Sequence, residues 1–153
     1  MLFSRKYILF PYLIFLLFLI KGGLVHAAPP DQVISIQEVE ISYHQSNKID
    51  LIKTPAPVQY EIQEILRNVY QLGGLTSIQL PSQYFQFHFS PAVVMPPISP
   101  IGHPIQEMIV SVPQTRFEPT RLYIRNTQNQ WIEYRTTRSL SILLAQLQEN
   151  ITS

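Results

Sequence analysis

The chain has 153 residues, with 11 Lys and Arg against 10 Asp and Glu, and no cysteine. A near balance of charge excludes a global polycation, so nucleic acid is not an expected partner. The lack of cysteine excludes disulfide staples and an anchor of the lipid-on-cysteine type, leaving the fold to be held by its core.

The N-terminus carries Arg5 and Lys6, then an apolar run of 14 residues from Tyr7 to Ile20, then Val25-His26-Ala27. A basic stretch, an apolar stretch and small residues at a cleavage point form the pattern of a secretory signal peptide, here residues 1–27. The rival reading is a membrane anchor. As a helix the run reaches about 21 Å, short of the roughly 30 Å hydrocarbon core, so membrane contact is expected only through a transient leader. Cleavage after Ala27 leaves eight basic and ten acidic side chains, a net charge of −2. Residues 28–153 are then one domain, large enough for a single hydrophobic core. An exported domain of this size without cysteine points to a periplasm or cell surface, in a bacterial envelope.

Residues 33–43, VISIQEVEISY, are rich in β-branched side chains. Their apolar parity switches near Gln37-Glu38, which predicts a bulge or two short strands. A short strand is expected at Ile49–Lys53, ended by Pro55 and Pro57. Ile62, Ile65, Leu66, Val69 and Tyr70 recur at helical spacing, so the periodicity predicts a helix over 60–72, with Glu61 and Glu64 in its first turn and Gly73-Gly74 as its stop. A strand is expected at Leu75–Leu80. Tyr84–Phe89 alternates cleanly, placing Phe85, Phe87 and Phe89 on a core face. The rival for that face, a carbohydrate-stacking platform, would need the three rings exposed.

Ser90–Pro104 carries five prolines. This proline-rich loop also holds Val93, Val94, Met95, Ile98 and Ile101, which either cover the sheet or present a preorganised apolar contact to a partner. A strand over 105–112, a turn over 113–119, a hairpin over 121–135 and a final helix over 140–148 capped by Ser139 complete the order. Strands that do not alternate strictly with helices predict an α+β fold: an antiparallel or mixed sheet of five to six strands with two helices packed on one face.

Motifs for chemistry are sparse. His44, His88 and His103 show no metal-ligand spacing. There is no GxSxG, no SxxK and no phosphate-cradling glycine loop. No cofactor or metal site is expected. An enzymatic alternative is a small envelope hydrolase whose site would require His88, His103 and Glu107 to converge.

The hairpin carries more. With Thr127-Gln128-Asn129 as the turn and Asn129 left-handed, Arg125 opposes Trp131, Ile124 opposes Ile132, Tyr123 opposes Glu133, Leu122 opposes Tyr134, and Arg121 opposes Arg135. One face is then apolar. The other presents Arg121, Tyr123, Arg125, Trp131, Glu133 and Arg135, with Arg116 and Arg138 close by in sequence. Two readings compete: a solvated face whose arginines reach neighbouring glutamates, and a binding surface for an anion or partner, anchored by Trp131 and Tyr123. The functional expectation is an exported, non-enzymatic binding module that docks an envelope protein, an anionic polymer or a lipid headgroup. A structural subunit of an envelope assembly is the remaining alternative.

Overall fold

The computed structural model describes residues 34–46, 48–74 and 79–152. These all belong to one compact unit, Val33–Ser153. The expected leader, residues 1–27, lies outside the described residues, as does most of the strand expected at Leu75–Leu80.

Among the described residues, seven strands and two helices appear in the order β1 (Glu38–Gln45), β2 (Lys48–Ile52), α1 (Ala56–Arg67), β3 (Val69–Gly74), β4 (Gln83–Val93), β5 (Ile105–Ser111), β6 (Leu122–Arg125), β7 (Trp131–Thr136) and α2 (Leu140–Thr152). The strands form one sheet in the order β2-β1-β4-β5-β6-β7-β3, and every neighbouring pair is antiparallel. The fold is therefore α+β, with seven strands in place of the expected five to six.

The extra strand comes from the end of the expected helix. α1 begins earlier, with Pro55 as N-cap and proline in its first turn, where a missing N–H costs nothing. It ends at Arg67. Val69 and Tyr70 continue the helical spacing of Ile65 and Leu66, but both are good strand formers. The ladder of β3 with β7, reinforced by Thr137 N–H to the Asn68 carbonyl at 3.1 Å, takes them into the sheet. The earlier start also moves Glu61 and Glu64 out of the first turn, which holds no acidic residue.

Alternation across the sheet sorts the side chains. Ile41, Phe87, Met108 and Ile124 stand in one transverse row, as Cα partners strand by strand, and all four are fully buried. Phe85 and Phe89 share their parity and burial, so the phenylalanine face is core. Val58, Ile62, Ile65 and Leu66 of α1 and Leu143, Leu144 and Leu147 of α2 join the same apolar cluster. Ile34 and Ile36 are buried just before β1, so the parity switch near Gln37 marks where an irregular segment gives way to the strand.

β4 runs four residues past Phe89, into the segment expected as loop, with a register shift between His88 and Val93. Pro91 lacks an N–H for the ladder, which suits an irregular stretch. The rest of the proline-rich segment divides. Val93 and Ile101 are buried and Met95 packs against the core, while Val94 and Ile98 are exposed, Ile98 to 95%.

Candidate functional site

The side of the sheet opposite the phenylalanine core carries most of the polar strand residues, with Ile109 and Tyr123 buried among them, and the strand registers order them into rows. Glu40, His88 and Glu107 are successive Cα partners across β1, β4 and β5. Arg125 continues that row, its Nη1 donating to Glu107 Oε2 at 2.6 Å, and Trp131 opposes Arg125 across the hairpin. The next row is Ser42, Gln86, Ile109, Tyr123 and Glu133. In the third, His44 opposes Tyr84 and Tyr84 opposes Ser111. Ser111 exchanges hydrogen bonds with the Arg121 backbone: its N–H donates to the Arg121 carbonyl at 2.9 Å, and its Oγ accepts from the Arg121 N–H at 2.7 Å.

The hairpin register is the expected one from Leu122–Tyr134 to Arg125–Trp131. Asn129 is left-handed, at φ 61°. Asn126 holds the turn, its Oδ1 accepting from the N–H groups of Gln128 and Gln130, each at 2.9 Å. The Arg125 guanidinium lies 5.7 Å from the Trp131 ring centre, a cation–π contact.

The ladder stops at Leu122–Tyr134, one step before Arg121 and Arg135 would face each other. Arg121 turns along the hairpin, its Nη1 donating to Glu133 Oε2 at 3.2 Å. Arg135 is instead the Cα partner of Gln71 on β3. Arg138 lies beyond β7 and grips Glu61 of α1 with two parallel bonds, Nε to Oε1 at 2.7 Å and Nη2 to Oε2 at 2.8 Å. That bidentate grip holds the Arg138 pKa above its ordinary value. Three arginines of the 116–138 stretch thus have a glutamate each. Among the described residues, no carboxylate forms an ion pair with Arg116 or Arg135.

Arg121, Glu133 and Arg135 line a concavity of about 680 Å³ at the open end of the hairpin, together with Tyr70 of β3, Arg138, and Ser139 and Ser141 at the start of α2. Arg125 and Trp131 sit at the turn end. Tyr123 is buried between them, and burial, only partly countered by Arg121, pushes its hydroxyl pKa up. Arg138 and Tyr70 are the groove residues that sequence reasoning did not place. Arg138 was recognisable only as a fifth arginine near the hairpin, and Tyr70 was assigned to a helix.

A second concavity, of about 400 Å³, is lined by Glu38, Glu40, Thr54, Gln59, His88 and Ser90 among others. His88 Nδ1 is 3.9 Å from Glu107 Oε1. His103 does not join them; its Nδ1 lies 2.9 Å from the Pro104 carbonyl. No hydrogen bond links His88 to Ser90 or to any other hydroxyl among the described residues, so no base–nucleophile pair is assembled there. No group of three or more His, Asp or Glu side chains among the described residues could hold a metal ion.

Comparison of the chain with protein-family models, with curated proteins and with solved structures found no match.

Proposed function

We propose that the chain is an exported, non-enzymatic binding module of the bacterial envelope, periplasmic or on the cell surface, that docks an anionic envelope component at the open end of its hairpin. The leader pattern at residues 1–27 supports export. The observation that carries the binding reading is the groove itself: three arginines, Arg121, Arg135 and Arg138, are among the residues lining one concavity, with Glu133 as its one acidic residue. Arg121 and Arg138 already have carboxylate partners, which fix them in place, while Arg135 is exposed and has its donors to offer. Preorganised arginine forks favour phosphate or carboxylate groups over diffuse negative charge. Tyr70, more than half exposed on the neighbouring strand, adds a ring against which a headgroup or sugar can rest. Both helices are taken to cover the phenylalanine side of the sheet, leaving the groove free for the partner.

The test uses protein purified after expression of the full chain. It is titrated with anionic phospholipid vesicles and, separately, with a soluble polyanionic glycan, at low and moderate salt. Binding to one of them, weakened by salt and lost in Arg121→Ala/Arg135→Ala while the variant stays folded, supports the reading. Equal behaviour of native protein and variant removes it, and the arginines are then a solvated, ion-paired face.

A further inference from the structure

The two edges of the sheet are built differently. β3, at one edge, is interrupted by register shifts between Val69 and Gln71 and between Leu72 and Gly74. Such bulges twist an edge away from further pairing. β2, at the other edge, is regular over all five of its residues, Lys48–Ile52, and among the described residues pairs only with β1. It contains no proline. On its polar side stand Ile49 and Leu51, exposed to 63% and 71%. On its other side the Lys48 and Asp50 side chains, exposed to 74% and 38%, pair with each other along the strand, Nζ to Oδ2 at 2.8 Å, an exposed contact that an opposing copy can exchange for reciprocal ones. An open strand edge with two exposed aliphatic side chains is a template for another strand.

The charges identify that strand. An isologous antiparallel pairing of β2 with a second β2 has a two-fold axis through one residue pair. With the axis at Ile49, Lys48 of each copy falls opposite Asp50 of the other, giving two reciprocal opposite-charge pairs on one face. On the opposite face the two Ile49 side chains meet, flanked diagonally by the two Leu51 side chains. Shifting the axis to Asp50 would set like charges opposite each other, and shifting it to Leu51 would leave Lys48 and Asp50 with no opposite charge across from them, so the sequence KIDLI favours the first register. We propose that β2 is a homodimer edge, through which two copies of the chain join their sheets into one of fourteen strands, twice the seven of each. This interface is independent of the arginine groove and lies at the other end of the strand order.

Light scattering against concentration, on protein purified after expression of the full chain, tests the pairing. A dimer is expected. Lys48→Asp and Asp50→Lys each place like charges across the axis and should weaken association about tenfold or more. The charge-swapped double variant Lys48→Asp/Asp50→Lys should restore it. Because the chain has no cysteine, Ile49→Cys adds a single thiol on the axis, and it should form an intermolecular disulfide on mild oxidation. Leu72→Cys, on the bulged edge, should not. A monomer at every concentration, a dimer indifferent to the single reversals, or a swap that fails to restore association overturns the proposal. Failure of Ile49→Cys to cross-link in excess of Leu72→Cys does so independently of any effect of the charge changes on folding.

Discussion

Arg138 and Glu61 lie 77 positions apart in sequence and meet through two parallel hydrogen bonds of 2.7 and 2.8 Å, tying the approach to α2 onto α1. Glu61 is a buried charge, 2% exposed, and Arg138 is its only ion-pair partner among the described residues. Removing one partner of such a pair leaves an uncompensated buried charge, whereas replacing both with apolar groups does not. Arg138→Ala should therefore lower the urea midpoint more than Arg138→Ala/Glu61→Leu does. Denaturation followed by circular dichroism ranks the two, and the reverse order would show that Glu61 is well served without the guanidinium.

Gly73 of β3 lies against the Glu133 side chain of the hairpin. A Cβ built there would sit 2.7 Å from Glu133 Cγ, too close for both to stay. Glu133 is the carboxylate that holds Arg121, so Gly73→Ala should push it aside and loosen that ion pair. The side chain can move, so the cost should be small for overpacking, about 1 kcal/mol. If the groove binds an anion, freeing Arg121 from Glu133 should also strengthen that binding. Parallel urea denaturation and vesicle titration check both effects. A variant as stable as the parent, with unchanged binding, would mean that Glu133 does not govern the charge of the groove.

The hairpin was legible because one register alone gathers Leu122, Ile124, Ile132 and Tyr134 on one face, and the turn needs a residue that tolerates left-handed φ, supplied by Asn129. The phenylalanine strand was legible for the same reason: period two with bulky apolar residues admits few other readings. β3 was not. Val69 and Tyr70 fit both a helical and a strand period, and the choice is made by β7, more than 60 residues later in the chain. The Glu107–Arg125 pair and the groove shared by Arg121, Arg135 and Arg138 depend on which strands are neighbours, which local periodicity does not encode. Ser139 marks the start of α2 as expected, yet its Oγ pairs with Ser141 Oγ at 2.7 Å.

His44 gives the fold a pH dependence of defined sign. Its ring stacks on Tyr84, centres 4.6 Å apart and planes 10° from parallel, and its Nε2 lies 3.0 Å from Ser42 Oγ. Burial disfavours the charged ring, so the folded pKa lies below the ordinary value of 6.5. The unfolded chain then binds the proton more tightly than the folded one. The contribution of His44 to stability is intact above pH 6.5 and is lost as pH falls through the folded pKa. His44→Phe keeps a ring against Tyr84 and removes the titration. The informative quantity is the difference between the two stability curves. Urea midpoints measured from pH 7.5 to 5 should fall more steeply for the parent than for His44→Phe. Parallel curves would mean that the stacked ring takes up its proton as readily in the folded protein as in the unfolded chain.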